Sequence, residues 1–474
     1  MIPALRVKNL SSISCVCEPL ITQPFKPSDA VFTRPEAVPS PPPVVVIADP
    51  DTALTAAAPE PDTLLAEEEQ EILEQDIRGR ISVASYSNFS NTGMPNRQRM
   101  RYTFSFTGNH LGGSRLSLES YISFVHSNTN WDEIRDNAFN GLKIYNLSAK
   151  YDFNKTTRMW MGRKINPTLS NVGAIDGLQF EKDLGAFKVG AFGGSRPDYR
   201  DYGFDFSLWQ YGAYFGHTLK RDMRQMQSSI AIVDQNNSGQ TDRRFLYFQH
   251  TNSLIRNLFF FGTVEMDLYK KVNEKEESTF DLTNIYLSLR YKIIRELSVS
   301  VSYSARNNII YYETYKNIID RLLEAETMQG WRGQVNYRPV KFLAVGISGG
   351  YRFRKADPKP SKNLYGYVTY SRIPGLNASV TLSATIMETS YLNGNFYSLG
   401  LSKDLIPGKL SGGFNYRLVD YHYLSTEFDI PQHIGDFNLY WRIYKKLSLS
   451  LNYEGTFEQA KTYNRVYVNL SQRF

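Results

Sequence analysis

The sequence predicts an all-β fold. It reads as a single transmembrane, antiparallel, up-and-down β-barrel of about 22 strands, preceded by a disordered Pro-rich tail and a short helix. Three observations predict it. Polar and apolar residues alternate in one segment after another from residue 79 onward. Proline is confined to the spaces between those segments. The chain ends on a phenylalanine that closes the last of them.

The alternation is clearest in Leu447-Ser448-Leu449-Ser450-Leu451-Asn452-Tyr453-Glu454 and in Leu297-Ser298-Val299-Ser300-Val301-Ser302-Tyr303-Ser304. A period of two puts Leu, Val and Tyr on one face of a strand and Ser, Asn and Glu on the other. The second row is too small and polar to pack as a second layer. A closed barrel with lipid outside and water inside suits both rows. Segments of this kind begin near residues 80, 97, 114, 142, 156, 173, 185, 203, 224, 241, 256, 278, 296, 329, 341, 361, 376, 393, 407, 432, 446 and 462. The nine prolines after residue 62 are expected in or beside turns, because proline donates nothing to a ladder. Connections are expected to alternate between tight turns, such as Lys182–Gly185 and Leu405–Gly408, and longer loops at 127–141, 195–203, 270–278, 307–328 and 421–432.

Composition agrees. The 474 residues are 42% hydrophobic and 14% aromatic, with a mean hydropathy of −0.39. No run approaches the ~20 apolar residues of a membrane-crossing helix, a test that does not apply to strands. The aromatic excess has a place on outward rows near strand ends, at Tyr102, Tyr291, Tyr303, Tyr351, Phe353, Tyr416, Tyr453 and Phe457.

Three segments follow. Residues 1–62 hold 12 of the 21 prolines and are expected to be a disordered extension. Residues 63–78 are good helix formers, rich in Glu, and are expected to form a short acidic helix. Residues 79–474 form the barrel. Residues 1–78 carry 5 Lys/Arg against 13 Asp/Glu, whereas 79–474 carry 49 against 34, net charges of −8 and +15. The basic charges are spread along alternating strands and form no block, which argues against nucleic-acid binding. Cys15 and Cys17, separated by one residue, are unsuited to a mutual bridge. Met1–Leu20 contains Arg6 and Lys8 but no continuous apolar run, so no export signal is read there; either the natural start lies further upstream or the chain stays in the cytoplasm.

The final segment puts Val466, Val468, Leu470 and Phe474 on one face, with Gln472 interrupting the row. This ending resembles the closing strand of Gram-negative outer-membrane β-barrels. The resemblance implies an outer-membrane location, recognition of those residues by the barrel-assembly machinery, lipid around the wall, and a periplasmic N-terminal tail with a possible partner there. Residues 162–196, with Gly162-Arg163, Ile175-Asp176-Gly177 and Gly193-Gly194, are similar to porin-type barrels. The Lys/Asn/Tyr-rich style resembles proteins of the Bacteroidota.

Arg101, Arg290, Arg306, Arg352, Arg354, Arg417, Arg465 and Arg473 fall on inward rows, with Lys292. In a water-filled lumen they bias passage toward anions, unless they pair with inward acids such as Glu454. Asp234–Gly239 begins like a calcium loop, but Phe245 stands where the closing Glu belongs, so it reads as a hairpin turn. Residues 313–326 have a helical apolar face. Asp420 and His422 are the nearest approach to a catalytic pair, without a nucleophile motif, and no cofactor is implied. The expectation is a porin-like channel for small polar or anionic solutes and not an enzyme. The alternative is a non-conducting barrel that docks partners in a surface or secretion complex. An outer-membrane hydrolase comes third. Large active transporters of this strand number carry a folded plug ahead of the barrel, and 78 Pro-rich residues are too few for one.

Overall fold

A computed structural model describes residues 5–10, 15–19, 73–169, 172–198, 202–272, 275–307, 328–354, 357–424 and 428–474. Two units separate at residues 69 and 70. In the first, β1 (Leu5–Leu10) and β2 (Cys15–Pro19) pair antiparallel within the stretch expected to be disordered.

The second unit is a closed barrel of 22 antiparallel strands. Its first strands are β3 (Asp76–Ser90), β4 (Arg97–Asn109), β5 (Leu116–Ser127), β6 (Leu142–Asp152), β7 (Thr157–Ile165), β8 (Ala174–Leu184) and β9 (Phe187–Ser195). There follow β10 (Leu208–Arg221), β11 (Arg224–Asn237), β12 (Gln240–Asn252), β13 (Leu258–Val272), β14 (Lys275–Lys292), β15 (Leu297–Arg306), β16 (Met328–Tyr337) and β17 (Leu343–Phe353). The last are β18 (Ser361–Tyr370), β19 (Ala378–Glu388), β20 (Leu392–Ile406), β21 (Leu410–Tyr423), β22 (Phe428–Tyr444), β23 (Leu447–Glu458) and β24 (Lys461–Arg473). Each neighbour in sequence is a neighbour in space, and β24 closes onto β3 in register from Tyr463↔Ser90 to Arg473↔Arg80. Closure leaves no strand edge unpaired along the wall.

The two faces differ as the alternation predicts. On β10, Trp209, Tyr211 and Phe215 are exposed while Leu208, Gln210 and Tyr214 are buried. Apolar side chains stay exposed on one face because that face is the outside of the wall, the pattern of a barrel whose outer surface suits an apolar medium. The core therefore lies inside the lumen. We call the end where Phe474 and Gly79 meet the closing end, and the other the loop end.

Several boundaries differ from expectation. β3 starts at Asp76, so residues 76–78 are extended and not helical, and Ile77 joins the exposed apolar row. Of the expected helix, 63–72 lies outside the described residues, as does the helix expected at 313–326. Residues 270–278 and 421–432 are mostly strand: β13 and β14 pair to Val272↔Lys275, and β21 and β22 to Tyr423↔Phe428. The β13–β14 hairpin extends past both of its neighbours, and the β21–β22 hairpin extends past β23. Pro431 accordingly sits inside β22 opposite Asp420, and not in a turn. It is tolerated because β23 pairs with β22 only from His433↔Phe457, which leaves Pro431 on a locally free edge. Nor is the loop end uniformly long. Ser238 and Gly239 make a two-residue turn with φ of 52° and 84°, the primed geometry that suits a hairpin and that glycine accepts without strain.

Candidate functional site in the barrel lumen

The lumen has two unlike sides. From β5 to β13 the inner face is filled. The connection after β7 folds inward, and Leu169, with no exposed surface, joins Ile175, Phe192, Tyr214, Val233 and Tyr247 in one buried cluster. Asn166 holds this turn. Its Oδ1 accepts the N–H groups of Thr168 (2.8 Å) and Leu169 (3.2 Å), and its amide donates to Gln179 Oε1 at 3.1 Å. Gln210 then donates to the Val172 carbonyl at 3.1 Å.

Charges on this side are paired. Glu181 accepts from Lys188 (2.6 Å) and from the Tyr214 hydroxyl (2.7 Å), and forms an ion pair with Arg158 at 2.8 Å. The Tyr214 ring lies where a Cβ on Gly190 would stand, so only glycine lets it lie flat on the wall. Arg243 binds Glu265 and Asp267 and stacks over Phe245, its carbon Cζ 4.2 Å from the ring centre. Lys164 meets Glu119 at 2.7 Å. Arg163 is enclosed by Asp176 and by the carbonyls of Ile144, Tyr202 and Gly203. Gly162, Gly177 and Gly194 stand side by side on β7, β8 and β9. A Cβ on any of them meets the backbone of the next strand within 2.3 Å, so the stripe lets the wall pack closely where the connection turns in.

The other side is sparse. The inward rows of β15 to β17 hold Ser298, Ser300, Ser302, Gly346, Ser348 and Gly350. Arg290, Arg306, Arg332 and Arg352 project from this wall, exposed and without an acid partner among the described residues. A cavity of about 510 Å³ separates Arg306 from Arg243, Phe245 and Tyr202 of the filled side.

The sequence-derived arginines thus divide. Arg290, Arg306 and Arg352 lie together on β14 to β17, where Arg332 joins them. Arg101 donates to Ser123 at 3.1 Å. Arg417 bridges Asp436 and Glu454, and Arg465 pairs with the same Glu454, which is the pairing alternative. Arg354 lies just past β17 in a connection, off the inward row, because β17 ends at Phe353. Arg473 is the last residue of β24, at the closing end. Val466, Val468 and Leu470 face Ser87, Ser85 and Val83 of β3, and Gln472 fits between Leu447 and Ile81. Asp420 and His422 lie two apart on β21 opposite Pro431 and Asp429. No group of His, Cys, Asp and Glu suited to a metal occurs among the described residues. The inward turn at Asn166–Leu169 escaped sequence reading. Its one local signal is Asn-Pro-Thr, the Asn side chain capping the turn.

No protein-family model matches the chain, and no curated protein matches it in sequence. Solved structures do. A P pilus usher translocation pore (PapC) is similar at a TM-score of 0.50 and 10% identity, over 84% of this chain and 99% of that one. A ferric enterobactin receptor of Pseudomonas aeruginosa is similar at a TM-score of 0.52 and 10% identity, over 85% and 82%. At that identity the likeness is one of fold: the chain shares their closed antiparallel β-barrel architecture.

Proposed function

We propose that the protein is an outer-membrane channel for small polar solutes, with a preference for anions, and that Arg290, Arg306, Arg332 and Arg352 line its passage. These arginines, without an acid partner among the described residues and set on a wall of serine and glycine, carry this reading. Cations without counter-charges raise the potential of a water-filled lumen and concentrate anions there. Small neighbours leave them room to meet a solute. The paired charges and buried cluster opposite serve to narrow the passage and hold it rigid. On this reading the closing end, with its short turns, faces the periplasm, as does the N-terminal tail, and lipid and the barrel-assembly machinery are the partners. The similarity to a translocation pore and a receptor supports transport over catalysis. Planar-bilayer recording of the folded, full-length chain tests it. Stepwise conductance with a reversal potential favouring chloride over potassium is expected. A correctly folded barrel that conducts nothing sinks the reading in favour of a docking subunit.

A further inference from the structure

The charge of the connections is polarised. The ten turns at the closing end, from 110–115 to 445–446, hold 10 Lys/Arg and 2 Asp/Glu. Among the described residues, the connections at the loop end hold 4 and 6. The closing-end turns are not simply polar. Met223, Ile255, Ile294, Val340 and Leu376 are at least half exposed in these turns, as is Tyr444 at the end of β22, each within four residues of a Lys or Arg. Bare apolar tips are unfavourable in water and favourable in the headgroup layer of a bilayer, where neighbouring cations reach phosphates.

The pairing is densest where three turns converge. The β14–β15, β16–β17 and β18–β19 turns enclose a groove of about 740 Å³ lined by Arg295, Arg338, Lys341, Val340 and Phe342, with Glu296 as its one acid. Lys341 lies 5.0 Å from the centre of the Phe342 ring, and Arg372 lies 5.7 Å from it. Arg295 and Arg338 have no acid partner among the described residues. An apolar floor beside converging cations suits a ligand with an anionic head and acyl chains.

We infer that this groove binds the headgroup of an anionic glycerophospholipid, with Arg295, Arg338 and Lys341 on the phosphates and Val340 and Phe342 against the chains. The inference rests on the outer-membrane reading but not on conduction, so bilayer current and lipid binding fail separately. A protein partner with an acidic surface would use the cations but leave the apolar tips in water, which favours lipid.

Native mass spectrometry of the full-length chain in detergent, titrated with phosphatidylglycerol, phosphatidylcholine or lipid A, tests it. Phosphatidylglycerol is expected to be retained most strongly and to be released by salt. Replacing Arg295, Arg338 and Lys341 together with serine is expected to weaken it on the order of 100-fold, at about fivefold per cation. Removing three loop-end cations, by Arg135→Ser, Lys359→Ser and Lys461→Ser, is expected to leave it unchanged. The heat-dependent electrophoretic shift of a folded barrel controls for folding. Equal retention of phosphatidylglycerol and phosphatidylcholine, preference for lipid A, or a triple variant that binds like the control each overturns the inference.

Discussion

The ring of Phe474 lies over the backbone of Gly79, within about 2 Å of where a Cβ would be. The same two residues exchange backbone hydrogen bonds, the Phe474 N–H to the Gly79 carbonyl at 3.0 Å and the Gly79 N–H to the Phe474 carbonyl at 3.2 Å. This pair locks the seam where the last strand meets the first. Glycine is needed at 79 so that an aromatic ring can cover it. Gly79→Val is therefore expected to displace the ring and cost about 1–3 kcal/mol, as overpacking does. Phe474→Ala removes the cover without the clash. Urea unfolding in lipid vesicles checks both, and an unchanged midpoint for Gly79→Val would show that the ring adds nothing to closure.

Arg243 is enclosed with two carboxylates, so its removal strands buried charge. Arg243→Leu is expected to cost roughly 3–5 kcal/mol, because Glu265 and Asp267 are left facing each other without a cation. Arg465→Leu, which removes an exposed partner of Glu454, is expected to cost less than about 1 kcal/mol. The two unfolding curves, measured side by side, test the contrast.

The Tyr214 hydroxyl serves Glu181 and its ring covers Gly190. Tyr214→Phe keeps the cover and loses a hydrogen bond to a charged group, at a cost of about 1.5–3 kcal/mol. Gly190→Ala forces the ring off the wall and is expected to cost at least as much. If only Tyr214→Phe destabilises, the ring contributes nothing by lying flat.

If the lumen conducts as proposed, the two sides are expected to affect conduction differently. Replacing Arg306, Arg332 and Arg352 with glutamine is expected to lower anion selectivity while single-channel current changes little. Leu169→Asp puts a charge into the buried cluster, expels the inward turn and is expected to raise the current. A reversal potential that does not move in the first variant sends the selectivity elsewhere.

Much of the barrel was legible because strand alternation is local. Each of the 22 expected starts falls within five residues of an observed strand, with the widest gap at β10, expected near 203 and found at Leu208. The charges could not be read in the same way. Whether Arg417 or Arg306 is paired depends on the acid opposite, and Asp436 and Glu454 reach Arg417 only through the register of β21 to β23. Pro431 was misplaced for a related reason. Its tolerance depends on where β23 stops, a fact about a neighbour and not about β22. The inward turn after β7 is set by a cluster drawn from five strands, and no window of sequence contains it.

The opposed charges of the two rims have an electrical consequence. A tube basic at one mouth and acidic at the other is a permanent axial dipole, so the two directions of ionic flow through it are unequal. Under the channel reading, anions entering from the closing end would meet an enriched mouth, and those entering from the loop end a depleted one. Inserted in a single orientation, such a tube behaves as a diode at low salt and as a plain resistor once the salt is high enough to screen its rims.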